Sequence, residues 1–187
     1  MEYFEYIEYY HSSIKKIDPL EIEALIDIIL NAYKEDRTIF IIGNGGSAAN
    51  ASHFAEDLSK GTIENTLKTK RIKALSLTDN TSFITALAND SGYDSIFVQQ
   101  LITFAKPDDV LIAISGSGNS RNILKAIEWA NENNLVTIGI SGFTGGNLKK
   151  FSKISLHVPL NDMCTVESIH SFLFHFIIIK LHGLINI

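Results

Sequence analysis

TIFIIGNGGSAANASHFAEDLSK, residues 38–60, decides how the rest of the chain is read. Thr38–Ile42 is a short run of β-branched and aromatic residues, the mark of a strand buried on both faces. Gly43-Asn44-Gly45-Gly46-Ser47 follows at once, and a helix-like stretch begins at Ala48. Outward from there the alternation continues. Ile72–Leu77 reads as strand, Thr81–Leu87 as a short helix and Tyr93–Phe104 as helix. Asp109–Ile114 is a second buried strand that runs into Ser115-Gly116-Ser117-Gly118-Asn119-Ser120. Asn122–Asn133 reads as helix, Val136–Ile140 and Ile154–Val158 as strands, and Met163–Leu184 as a long helix. Strands alternating with helices predict an α/β fold, a parallel sheet covered by helices on both faces. Ligands of such sheets bind at the carboxyl ends of the strands, where both Gly/Ser-rich loops fall.

The residues before the first strand, 1–33, read as helical, with Asp18-Pro19 as a start signal. Leu20, Ile22, Leu25, Ile26, Ile28, Ile29 and Leu30 spread apolar side chains round most of that segment. A helix apolar that far round needs partners on more than one side, which predicts a homo-oligomer. Neither a repeat nor a linker divides the 187 residues, so one domain, 1–187, is expected, with 1–33 and 163–184 as terminal helical segments. The 16 Lys/Arg against 21 Asp/Glu give a net charge of −5, which offers nucleic acid or an anionic membrane surface no basic field. A single cysteine, Cys164, excludes an internal disulfide and a Cys-rich zinc cluster; it reads as a small buried residue and fits a cytoplasmic protein. The N-terminal MEYFEYIEYYH lacks the basic start and apolar core of a signal peptide. The longest apolar run, Phe172–Leu181, is interrupted by His175 and Lys180 and reads as too short to span a bilayer.

The loop at 43–47 lacks the Gly-Lys-Ser/Thr ending of a Walker A loop and does not fit GxGxxG. Its physics is similar to both: glycines admit a ligand close to the backbone, and the following helix presents free N–H groups. A strand-to-helix turn with no ligand has the same composition. The loop at 115–120 is sharper, since Ser115, Ser117 and Ser120 flank two glycines before a helix. Hydroxyls and backbone amides suit a phosphate held without a strong cation. The alternative is a helix cap supplied by Asn119 or Ser120. Two such loops on two parallel strands point to a phosphorylated small molecule.

GNGGSAANASHFAEDL at 43–58, LANDSGYDSIF at 87–97 and ISGSGNS at 114–120 together resemble the sugar isomerase (SIS) fold. Within it they are similar to the sedoheptulose 7-phosphate (phosphoheptose) isomerases. The resemblance implies that Ser115, Gly116, Ser117 and Ser120 hold a sugar phosphate. It implies further substrate contacts from Asn44, Gly45, Gly46, Ser47, Asn89, Asp90 and Glu167. It also implies zinc bound by His53, Asp57, Glu167 and His175, with Asp57 as base, His175 as acid and Glu167 as a further catalytic candidate. The implied reaction converts sedoheptulose 7-phosphate, a seven-carbon sugar phosphate, to D-glycero-D-manno-heptose 7-phosphate for surface-polysaccharide synthesis. The implied assembly is a homotetramer with sites shared between subunits. A non-catalytic SIS protein that binds a phosphosugar or a protein partner is the rival of another class, and an isomerase of a different sugar phosphate is a third reading.

The residues constrain these roles independently. His53 and Asp57 stand at i and i+4, about 6 Å apart along one helix face, and imidazole plus carboxylate suits zinc. Glu56 at i+3 competes with Asp57, and an exposed histidine beside a solvated acid needs no metal at all. Glu167 and His175 lie eight residues apart, roughly 12 Å of rise on one straight helix, too far for a single ion. Either each site draws on two subunits or the helix begins after Glu167. Glu167 and His170, at i and i+3, form another possible ligand pair, and His175 beside Phe174 and Phe176 could instead be a core histidine. The chain also departs from the family pattern, which has Glu at 57, Gln at 167 and commonly Thr at 116. Here these are Asp57, Glu167 and Gly116.

Overall fold

The computed structural model describes residues 1–64, 67 and 70–186. Two helices lead: α1 (Tyr3–Ile14) and α2 (Pro19–Lys34). Asp18 caps α2, its Oδ1 accepting from the Leu20 amide at 2.9 Å, with Pro19 at the first helical position where no N–H is needed. The sheet strands are β1 (Thr38–Gly43), β2 (Lys73–Ser76), β3 (Val110–Ser115), β4 (Val136–Ser141) and β5 (Ile154–His157). All pair in parallel, in the order β2-β1-β3-β4-β5. Between them run α3 (Gly46–Glu56), a π turn (Asp57–Gly61), α4 (Thr81–Ser91), a 3₁₀ turn (Tyr93–Ser95), α5 (Val98–Phe104), α6 (Arg121–Glu132) and α7 (Gly146–Phe151). The chain closes with α8 (Met163–Ile185).

Strand alternation sorts the core into two layers. Ile39, Ile41, Ile112, Ile114 and Ile140 face α2, α3 and α8, where they meet Leu25, Ile29, Phe54, Ile169 and Leu173. Phe40, Ile42, Leu111 and Ala113 face the other way, onto Phe97, Leu101, Ile123 and Ile127. Both faces are thus buried, as the uninterrupted apolar strands require.

Three sequence expectations change. Helix α4 runs on to Ser91, so Asn89 and Asp90 are helical; the expected helix Tyr93–Phe104 is broken into a 3₁₀ turn and α5. Helix α8 is one unbroken helix from Met163, which removes the alternative that it starts after Glu167. By length and composition alone it is also long and apolar enough to cross a bilayer. In the fold its apolar side chains Val166, Ile169, Leu173, Ile177 and Leu181 are buried in the core.

Candidate active site

Strands β1 and β3 are neighbours, and chain order reverses between them, since β2 lies beyond β1 while β4 and β5 lie beyond β3. Open parallel sheets bind ligands at such a reversal. A cavity of about 100 Å³ opens there. Asn44 and Ser47 line it from the first loop, Ser115, Ser117 and Ser120 from the second, and Met163 and Glu167 from α8. The Ser115 and Ser120 hydroxyls stand 3.2 Å apart. Ser120 is the N-cap residue of α6, yet its side chain makes no capping bond, so the capping alternative does not describe this loop. Among the described residues the lining offers hydroxyls, amides and one carboxylate, without a lysine or arginine.

Glu167 takes a place that its spacing alone did not reveal. Its carboxylate lies so close to Gly46 that a Cβ there would overlap it. Glycine at 46 is therefore a condition for this approach, at the first turn of α3. The Glu167 carbonyl also accepts from Asn50 Nδ2 at 3.1 Å, tying α8 to α3. Gly116 repeats the theme, with Met163 Sδ where its Cβ would be.

The second centre forms one helical stretch further on. Phe54 and Phe174 stack with centroids 4.3 Å apart and planes 11° from parallel, both buried between α3 and α8. Their sequence neighbours His53 and His175 are thereby brought together, with ring centroids 5.0 Å apart. Asp57, where α3 passes into the π turn, completes the group. Its Oδ2 lies 3.4 Å from His53 Nε2 and 3.7 Å from His175 Nε2. Ligand atoms of all three residues fall within 4.8 Å of one another. A tetrahedral zinc site with bonds near 2.1 Å has ligand separations of about 3.4 Å, so this donor set fits one ion with a coordination position to spare. Both histidine side chains are about half exposed, at 53% and 52%, which leaves the group open on one side.

All three residues come from one chain, which corrects the expectation that neighbouring chains contribute them. Glu167 does not join them within its own chain; it belongs to the serine-loop cavity. Glu56 points elsewhere, pairing with Lys60 at 3.2 Å. His170 is buried, with Nε2 3.4 Å from the Ser141 carbonyl, so it pairs with the core and not with Glu167. Cys164 is exposed, contrary to the buried reading. Asn89 and Asp90 bond to each other at 2.7 Å on the exposed end of α4 and do not line the cavity. Tyr93 and Asn122, which sequence reasoning passed over, do reach the site: both bond to the Asn44 side chain. A polar residue two positions after the serine loop, in the first turn of a helix otherwise buried by aliphatics, was the available signal for Asn122.

Comparison with known proteins shows the family. The SIS domain family matches residues 2–142. The phosphoheptose isomerase of Helicobacter pylori (strain P12) is 35% identical over 173 residues, covering 91% of this chain and 88% of its own. That of Clostridium acetobutylicum is 39% identical over 158 residues, covering 84% and 79%. The solved phosphoheptose isomerase of Neisseria gonorrhoeae superposes with a TM-score of 0.87 at 30% identity, over 96% of this chain and 95% of that one.

Proposed function

The chain belongs to the SIS domain family and, within it, to the phosphoheptose isomerases; from that premise we propose that it converts sedoheptulose 7-phosphate to D-glycero-D-manno-heptose 7-phosphate. That it is an enzyme that isomerises a sugar phosphate follows from the family; the seven-carbon substrate, the metal and the assembly are our reading. The observation that carries it is the convergence of His53, Asp57 and His175 on one open group, in a chain that also carries a serine-lined cavity at the sheet edge.

In this reading the phosphoryl end lies against Ser115, Ser117, Ser120 and the start of α6, where Ser120 makes no capping bond. His53, Asp57 and His175 would hold zinc, which when bound polarises a carbonyl and stabilises negative charge developing on it. The proton that moves between C1 and C2 needs a carboxylate that faces the substrate and is free of the metal. Of the two candidates we assign this transfer to Glu167. Both histidines approach Asp57 through the same oxygen, Oδ2, while Oδ1 faces Gly61, 3.4 Å from where its Cβ would be. Asp57 is thus committed to the cluster.

Glu167 lies roughly 12 Å along α8 from His175, too far to serve its own cluster, and we assign it to the cluster of a second copy. Exposed apolar residues supply surface for that copy: Tyr3, Phe4 and Ile7 on α1, Phe172, Phe176 and Ile179 on α8. We read the assembly as a homotetramer with shared sites, acting in the cytoplasm for surface-polysaccharide heptose. The test is to load purified protein with zinc, add sedoheptulose 7-phosphate and follow aldose formation. Folded protein without turnover rejects the substrate, and turnover of another sugar phosphate in a substrate panel reassigns it.

A further inference from the structure

Asn44, Asn122 and Tyr93 come from three separate segments and meet side chain to side chain. Asn44 lies in the loop after β1, Asn122 in the first turn of α6 and Tyr93 in the 3₁₀ turn after α4. Asn44 and Asn122 exchange two hydrogen bonds of 2.9 Å, each Nδ2 donating to the other's Oδ1. Such a pair closes equally well with both amides turned over, so a group outside it must set its direction. That group is the backbone N–H of Ile123, which donates to Asn122 Oδ1 at 3.0 Å and cannot accept. With the Asn122 oxygen fixed there, Asn44 must present its nitrogen to Asn122 Oδ1 and its oxygen to Asn122 Nδ2. The Tyr93 hydroxyl then donates to that same Asn44 oxygen at 3.0 Å. Both lone pairs of Asn44 Oδ1 are now used, together with one of its two amide hydrogens. What remains is one N–H donor on a residue that lines the cavity.

We infer that Tyr93 and Asn122 are positioning residues that lock Asn44 as a one-hydrogen donor to the bound sugar phosphate. The inference rests on the sugar-phosphate reading of the cavity. Its consequence is selectivity. A ligand oxygen that only accepts, such as a carbonyl or phosphoryl oxygen, is matched at this point, whereas a hydroxyl that must donate finds no acceptor on Asn44. The 3₁₀ turn that carries Tyr93 has two other anchors on α6: Lys125 Nζ donates to Ser95 Oγ at 2.9 Å, and Asp94 Oδ2 lies 3.5 Å from Arg121 Nε. Tyr93 is itself 56% exposed, so Tyr93→Phe removes one hydroxyl and leaves the turn seated.

The experiment compares wild type, Tyr93→Phe, Asn44→Ala and the double variant, by steady-state kinetics with sedoheptulose 7-phosphate and by calorimetric binding of the same compound. Loss of one neutral hydrogen bond is expected to lower kcat/KM about fivefold in Tyr93→Phe, carried by KM and matched in Kd. In the Asn44→Ala background the tyrosine change is expected to cost nothing more, because its only route to substrate is gone. Asn122→Asp, which can still accept from Ile123 but cannot donate to Asn44, is expected to lose a similar amount. Wild-type protein that neither turns over nor binds the compound overturns the functional reading and this inference with it. An active wild type with an unchanged Tyr93→Phe, or the same fivefold loss in the Asn44→Ala background, overturns the positioning role alone.

Discussion

Replacing His170 by leucine should flatten the acid side of the stability curve while leaving the histidine–aspartate cluster intact. His170 is fully buried on α8, and its Nδ1 has no hydrogen-bond partner among the described residues. Burial draws its pKa from 6.5 down to about 4; the Ser141 carbonyl opposes this and the nearby His157 adds to it. The unfolded chain therefore takes up this proton near pH 6.5, whereas the folded chain holds out until about 4. Stability is full above the unfolded value and drains away as pH falls through that window. At about 1.4 kcal/mol per pH unit the whole window is worth on the order of 3 kcal/mol, with about 2 kcal/mol already lost at pH 5. With a urea dependence near 2 kcal/mol per molar, that is a midpoint shift of roughly 1 M. The assay is urea unfolding at pH 7.5 and pH 5 on both proteins. His157, also lowered by burial and then by Lys149, is present in both proteins, so the difference between them reports His170 together with its coupling to His157. The carboxylates held low, Asp36 by Lys73 and Asp162 by Thr165, titrate below the window. Equal acid shifts in wild type and variant would refute the reasoning, and loss of bound metal in the variant would return His170 to the candidate ligands.

Three other outcomes follow from the same geometry. His53→Ala, Asp57→Asn and His175→Ala should each lower zinc content measured by elemental analysis, from one ion per chain toward none, because each removes one of three ligands. Glu167→Gln should keep its zinc but lose solvent-proton exchange at C2 by at least about a hundredfold, read by deuterium incorporation; retained exchange would return the proton transfer to Asp57. Finally, His175→Ala and Glu167→Gln homomers, each inactive, should regain up to about a quarter of wild-type activity when unfolded and reassembled together, since random pairing restores that share of complete shared sites.

How much of this was legible in the sequence depends on whether local or long-range forces decided it. The strands, both loops and the start of α2 follow from local chemistry: β-branched runs, glycine and serine clusters, and an Asp-Pro cap. The His53–Asp57 pair was visible as an i, i+4 spacing. Its union with His175 came only from the family resemblance and not from spacing, because it depends on Phe54 stacking with Phe174 across two helices 120 residues apart in the chain. Helix periodicity likewise placed His170 and Glu167 on neighbouring faces without saying which meets the core. The contact partners decide that: Ser141 for one, Gly46 for the other. Tyr93 stayed hidden because its hydroxyl acts on a residue 49 positions away.

Glu167 also bears on how a cavity without a cation can hold an anion. A carboxylate and a phosphoryl group in one small cavity repel, and among the described residues the lining offers no positive side chain to separate them. Two helix N-termini meet at this edge of the sheet, however, α3 after β1 and α6 after β3. Each carries free amides and a partial positive charge, worth about 0.3–1 kcal/mol to a nearby anion. Glu167 lies against the first residue of α3, so that terminus already has an anion from within the chain. Among the described residues the α6 terminus holds no carboxylate: Ser120 makes no capping bond and turns its hydroxyl toward Ser115, and of the first-turn amides only that of Ile123 is taken, by the neutral Asn122 side chain. The two anions of the proposed complex thus have separate electrostatic partners, which is why our reading gives the phosphate to the serine loop and not to the glycine loop. Glutamate at 167 is compatible with phosphate binding for that reason, and glycine at 46, the only residue that lets the carboxylate approach the α3 terminus, is the part of the glycine loop that makes it so.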